Sequence, residues 1–232
     1  MMRFGVIRFH GSNCDRDCYH VVDRVLQQPV YWIEQNQKDL AGVDVVLIPG
    51  GFSYGDYLRA GAIAARTPVM DAVREFAERG GLVLGICNGF QILCEAGLLP
   101  GALMVNASLR FACHFAHVRV EAVDTPFTWA LSPGAVLRIP IAHHQGNFQP
   151  DVTPFQGRVL FRYCDAEGHI VPAANPNGSW EAVAGIANGR GNVVGMMPHP
   201  ERCSEAVLGA TDGVGIFRSL LCWWEEVGGY DV

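Results

Sequence analysis

A chain of 232 residues is long enough for one large domain around a proper core, or at most two small ones. Half of its residues are hydrophobic and 17% are charged, which excludes intrinsic disorder as the dominant state. The formal net charge of -6 argues against a nucleic-acid surface, which needs a basic footprint, and favours small molecules or protein partners.

The longest run without Asp, Glu, Lys or Arg, from Gly80 to Cys94, is shorter than the ~20 apolar residues of a membrane helix and contains Asn88 and Gln91. The opening Met1-Met2-Arg3-Phe4-Gly5 leads straight into a strand-like segment. It lacks the apolar region and cleavage site of a signal peptide, so a cytoplasmic protein is expected. Eight cysteines, scattered from Cys14 to Cys222 in a chain that needs no staples, read as reduced thiols.

Residues 3–9 read as a strand. Ser12 with Asp15 three positions on has the form of a capping box, and Cys18, Val21, Val22, Val25 and Leu26 follow at helical spacing. Residues 30–33 and 45–48 read as strands, the second stopped by Pro49-Gly50-Gly51. Thr67-Pro68 opens a helix, with Thr as its cap, and Gly80-Gly81 stops it. Residues 82–86 form a buried-strand pattern, followed by Cys87 and a short helix over 88–96. This alternation predicts an α/β fold: a doubly wound, mostly parallel sheet with helices on both faces. From about Leu103 to Arg162 shorter β-like pieces, 117–120 and 136–141 among them, predict a small antiparallel β insertion. Residues 183–187 and 193–197 restore strand character around Asn188-Gly189, and Val214, Phe217, Leu220, Leu221 and Trp224 form a closing amphipathic helix. No repeat or linker divides the chain, and residues 1–232 are expected to form a single domain.

The segment Gly85-Ile86-Cys87-Asn88-Gly89 carries the strongest chemical signal. A cysteine between a buried strand and a helix, flanked by glycines, has the logic of a nucleophile elbow. Small neighbours let the thiol point into an open site, and the free N–H groups of the helix start favour a thiolate. A small buried core cysteine is the alternative. The histidine suited to serve Cys87 lies in Met197-Pro198-His199-Pro200-Glu201-Arg202, at the carboxyl end of a strand, where open α/β sheets place their sites. Glu201 can bond one imidazole nitrogen and leave the other for the thiol, although a solvated surface loop would read the same way. The paired-glycine turn after Leu47-Ile48-Pro49 lets backbone approach a tetrahedral oxyanion. The N–H groups of Gly51 and Asn88 are the expected donors, unless the glycines merely end a strand.

Two donor-rich sets, His10 with Cys14, Cys18 and His20, and Cys113 with His114 and His117, lack the spacing of structural zinc sites, and no metal is expected. Of Trp223 and Trp224 only one can face inward, which leaves Trp223 as a weak interface candidate.

Gly-Ile-Cys-Asn-Gly-Phe-Gln at 85–91, Pro-His-Pro-Glu at 198–201 and Pro-Gly-Gly at 49–51 resemble the class I (triad) glutamine amidotransferases. Residues 11–15, 49–64 with their Phe-Ser-Tyr-Gly-Asp-Tyr-Leu-Arg core, 97–101, 146–148 and 195–202 extend the resemblance over nearly the whole chain. They direct it toward the glutaminase subunits of purine biosynthesis. The resemblance implies Cys87 as nucleophile, His199 as general base and acid, Glu201 as its orienter, Gly51 with Asn88 as oxyanion hole, and Gln91 as a residue that helps hold the substrate glutamine. It implies cleavage of glutamine to glutamate and ammonia through a cysteine thioester. The ammonia would pass to a separate synthetase large subunit, which uses ATP and Mg to turn formylglycinamide ribonucleotide into its amidine, with a small accessory subunit in the same complex. The chain has no Gly-x-x-x-x-Gly-Lys-Ser/Thr loop, and no cofactor is expected on it. The pattern departs at His10 and at His144-Gln145, where no role is assigned. A free-standing γ-glutamyl thiol hydrolase and a non-catalytic regulatory module on the same fold are the other readings, and the intact Cys87, His199 and Glu201 argue against the second.

Overall fold

In the computed structural model, whose described residues are 1–227, strand and helix alternate as the periodicity predicts. β1 (Phe4–Arg8) leads to α1 (Asp15–His20), which widens into a π-helical turn over Val21–Val25 before β2 (Val30–Glu34). β3 (Val45–Ile48), α2 (Pro68–Glu78), β4 (Leu82–Ile86) and α3 (Asn88–Glu95) follow. The remainder runs through β5 (Ala102–Met104), β6 (Ala112–Val120), β7 (Val136–His143), β8 (Asn147–Gln149) and β9 (Arg158–Cys164). It ends with β10 (Val183–Ala187), β11 (Val193–Met196) and α4 (Val214–Val227).

Nine of these strands make one sheet in the order β2-β1-β3-β4-β11-β10-β9-β6-β7. The pairings from β2 to β11 are parallel. Every residue of β3, β4 and β11 is buried, as expected of parallel strands covered on both faces. The step from β1 to β2 runs one way along the sheet and the step from β3 to β4 the other. Right-handed crossovers therefore set α1 and α2 on opposite faces. The direction reverses between β1 and β3, so the crevice for a ligand lies at the carboxyl ends of β1, β3, β4 and β11.

β10, β9, β6 and β7 are antiparallel and extend the same sheet, while β5 and β8 form a separate two-stranded ribbon. The antiparallel portion is thus fused to the parallel half through β10 rather than set apart from it. Three local expectations differ in detail. The capping box does not form: the Ser12 hydroxyl donates to Phe9 O at 3.0 Å, its backbone bridges Gly51 in the turn after β3, and Cys14 rather than Ser12 stands just before α1. Thr67 precedes α2 as expected, yet its hydroxyl donates back to Ala64 O at 2.7 Å. Trp223 and Trp224 are both half-buried against the core instead of dividing into one inward and one outward ring.

The glycines that flank Cys87 bring α3 against the sheet. A methyl group on Gly85 would lie 2.6 Å from Gly89 O, and one on Gly89 would lie 2.0 Å from Ile48 O. Backbone cannot yield to that overlap. Gly89→Ala is expected to destabilise the fold by at least ~2 kcal/mol in urea unfolding, despite the ~1 kcal/mol that alanine gains over glycine inside a helix. Gly189→Ala, which meets nothing within 4 Å, should change stability by less than ~0.5 kcal/mol. Equal effects of the two substitutions would refute the close approach.

Candidate active site

Cys87 stands between β4 and α3 with φ 50° and ψ -103°, a left-handed conformation that costs a non-glycine residue about 1–3 kcal/mol. Neighbouring backbone imposes it: Cys87 N–H donates to Met196 O at 2.7 Å, and Cys87 O accepts from Gln91 N–H at 3.2 Å. The strained turn aims the thiol at β7, where Sγ meets Ala142 O at 3.6 Å. At its back, the N–H of Asn88 begins a helix and has no partner within it.

β11 leads to the histidine expected to act as base. Three residues past its end, His199 is anchored by its N–H to Pro140 O at 2.8 Å, and its Nδ1 lies 2.6 Å from Glu201 Oε1. Both side chains are buried, and no described residue bonds His199 Nε2 or Glu201 Oε2. Burial opposes a charge on the imidazole, but Glu201 and the Cys87 and Cys14 thiols outweigh it and hold the ring protonated well above the usual histidine range. Nε2 is left open on the thiol side, while Nδ1 is committed to the carboxylate.

The glycine turn after β3 passes between these groups. A methyl group on Gly50 would stand 2.7 Å from His199 Cε1, 3.1 Å from Cys14 Sγ and 3.3 Å from Cys87 Cβ. Gly51, at φ +134°, bridges Ser12. The flanking bonds run from Phe52 N–H to Gly11 O and from Cys14 N–H to Gly50 O, so the N–H of Gly51 is outside that ladder. Asn88 locks the turn, its Oδ1 accepting from Ser53 N–H at 3.1 Å and its Nδ2 donating to Gln91 Oε1 at 2.9 Å. Gln91 in turn donates to Gln145 O at 2.7 Å. Both ends of the Gln91 amide are therefore occupied within the chain, which places it as a tie between α3 and the loop after β7.

A cavity of about 200 Å³ opens in front of His199, lined by Asn13, Cys14, Gly51, Phe52, Phe111, Ala142 and Arg202. A larger one of about 490 Å³ lies at the amino ends of β4 and β11, among Asp44, Arg79, Leu82, Asn192 and Trp223, far from the thiol. Cys14, Arg202 and His143 are the site neighbours that the sequence reading does not assign. Spacing groups Cys14 only with nearby cysteines and histidines, whereas its partner Arg202 is 188 residues away. His20 bonds Glu205 at 2.7 Å instead. Cys14, His199 and Glu201 each place a donor atom within 4.8 Å of the others, and Nδ1 of His199 and Oε1 of Glu201 are engaged with one another.

The chain and its fold have counterparts among known proteins. Residues 1–212 match the CobB/CobQ-like glutamine amidotransferase domain. Subunit PurQ of phosphoribosylformylglycinamidine synthase from Moorella thermoacetica is 53% identical over 230 residues, covering 97% of this chain and 98% of the relative. The chain belongs to the PurQ family of glutamine amidotransferases. Another PurQ, from Salinibacter ruber, is 54% identical over 224 residues, covering 94% of this chain and 95% of that one. The structure of PurLQS from Thermotoga maritima contains a chain that superposes with a TM-score of 0.87 at 43% identity, covering 96% of this chain and 98% of that chain.

His143 gives this crevice a pH signature. It is buried at 3% exposure with no described partner for either ring nitrogen. Burial, aided by His199 and His114, lowers its pKa to about 4. As pH falls below the ordinary 6.5, the unfolded chain binds a proton that the folded one refuses. Stability is therefore lost between pH 6.5 and 4, with no further loss from this group below 4. The effect is at most roughly 3 kcal/mol. Urea unfolding at pH 7 and pH 4.5 should show His143→Gln losing about 2 kcal/mol less than the wild type. Equal losses would mean that His143 is protonated in the fold.

Proposed function

We propose that this chain, as a single domain, is the glutaminase subunit of phosphoribosylformylglycinamidine synthase. It cleaves glutamine to glutamate and ammonia, and the ammonia goes to a synthetase large subunit that converts formylglycinamide ribonucleotide to its amidine. The observation that carries this reading is the convergence of Cys87, at a strained elbow, with the buried His199–Glu201 pair around Gly50. The names of the PurQ relatives and of the PurLQS assembly support a large and a small accessory partner. ATP and Mg belong to the large subunit in this reading. Among the described residues no helix is long and apolar enough to cross a membrane, and the free thiols suit the reducing cytoplasm.

In the first half-reaction the Cys87 thiolate attacks the side-chain amide carbon of glutamine. The N–H groups of Gly51 and Asn88 receive the oxyanion, and loss of one such donor typically costs ~10²- to 10³-fold in rate. His199 gives its proton to the departing ammonia, leaving a γ-glutamyl thioester on Cys87. Nε2 of the now neutral ring then takes a proton from water as the hydroxyl attacks the thioester, and glutamate leaves. Gln91, tied to Gln145 O at the loop after β7, helps hold the substrate glutamine.

The decisive experiment measures amidine synthesis by the reconstituted complex. Cys87→Ala should abolish glutamine-dependent synthesis and leave synthesis from ammonium salt intact. Loss of both would make Cys87 structural, and rapid glutamine turnover by the isolated chain, unchanged by the synthetase, would favour the free-standing hydrolase. Labelling of Cys87 by a glutamine-analogue electrophile tests the roles of its partners. His199→Asn should slow labelling by ~10²- to 10⁴-fold, and Glu201→Gln should be milder, because the ring keeps a neutral hydrogen-bond partner. The reverse order would overturn these assignments.

A further inference from the structure

We propose that Arg202, held in place by Cys14 and Asp17, is a positioning residue of this reaction: its guanidinium keeps Glu201 ionised while His199 is neutral, and so preserves the tautomer needed for thioester hydrolysis. The proposal rests on the glutaminase reading above.

The contacts define a fork. Nη2 of Arg202 donates to Cys14 Sγ at 3.0 Å and Nε donates to Asp17 Oδ2 at 3.1 Å, while the same Nε stands 4.0 Å from Glu201 Oε1. Arg202 and Asp17 are partly open to solvent, with side chains 37% and 44% exposed, and Asp17 alone would leave the guanidinium free to swing outward. Cys14, 2% exposed, is the buried end of the fork. A planar guanidinium with five donors suits such two-point holding, and lysine does not reproduce it.

The need for a cation follows from the proton count. Glu201 has a fully buried side chain whose Oε2 no described residue bonds, an expensive setting for a lone carboxylate. While His199 is an imidazolium, the two charges balance. Once the ring has released its proton to ammonia, that balance is gone. If Glu201 then took up a proton, it would donate to Nδ1, and the single ring proton would reside on Nε2. Nε2 could no longer act as base for the attacking water. An ionised Glu201 instead accepts from Nδ1–H and leaves Nε2 bare. The groups facing the pair are Cys14, Cys18 and Asp17 from α1 and the residue before it, Cys87 from the elbow, His143 from β7, and Cys203 and Arg202 from the histidine's own turn. Of these only Arg202 carries a permanent positive charge.

The test uses the reconstituted complex, with ammonium-supported synthesis as the check that each variant assembles. Arg202→Met should move the acidic limb of the kcat profile up by about one pH unit, about tenfold in rate on that limb, with little change in KM. The γ-glutamyl thioester should accumulate on Cys87 in acid-quenched samples, because hydrolysis is the impaired step. Cys14→Val, which has the shape without the acceptor, should shift the limb in the same direction, and Cys14→Ser, which restores an acceptor, should bring it back to the wild-type position. The Cys14 pair decides the matter if Arg202→Met does not assemble. An unmoved acidic limb, absence of the thioester, or a serine variant as impaired as the valine one would overturn the proposal. A wild-type complex that fails to cleave glutamine would overturn the glutaminase reading instead.

Discussion

Three stretches of chain that are remote in sequence pack onto the Cα of Gly50. With His199 Cε1, Cys14 Sγ and Cys87 Cβ all within 3.3 Å of the place a methyl group would occupy, the site exists only because nothing is there. The constraint is mutual. The turn after β3 must be bare for the histidine turn and the elbow to close on it, and the loop after β1 must bring Ser12 alongside Gly51. That bridge takes Ser12 away from the helix that its spacing would have capped, so a local preference yields to a tertiary contact.

Strain and rigidity are divided accordingly. Cys87 holds an unfavourable backbone because β4 and α3 on either side of it are buried and Gly85 and Gly89 let the helix lie almost on the carbonyl of Ile48. A thiol placed by two packed elements needs little of its own conformational freedom, which suits the role of nucleophile proposed for Cys87. The polar ties of Asn88 and Gln91 extend the same rigidity to the loop after β7.

Most strand and helix positions were legible in the amino-acid order because the parallel half is built from uninterrupted apolar runs ended by glycine, such as those before Gly50 and after Gly81. The residues proposed as catalytic were legible because each sits at a strand end in a motif of unusual composition. Two things were not. The continuity of the antiparallel strands with the main sheet depends on β10 pairing with β9, a contact between distant segments that no periodicity encodes. The engagement of Cys14 by Arg202 depends on two loops meeting from opposite ends of the chain, and neither residue type carries a local signal for the other. Gln91 was identified from the resemblance, but its use as an internal tie follows from the position of Gln145 O, which only the folded loop defines.

The place of β11 in the sheet has a consequence for how the molecule is made. It lies between β4 and β10 although it is the last strand in chain order. A nascent chain that has passed residue 100 already holds β1 to β4, yet the hydrogen-bonding edge of β4 stays open until residues 193–196 leave the ribosome. Open edges of buried, apolar strands invite pairing with other chains, and parallel pairings between distant segments form slowly. The strand that closes this edge also carries the histidine turn. The proposed catalytic histidine and protection from aggregation therefore arrive in the same late step of synthesis, and a chain truncated before β11 is left without either.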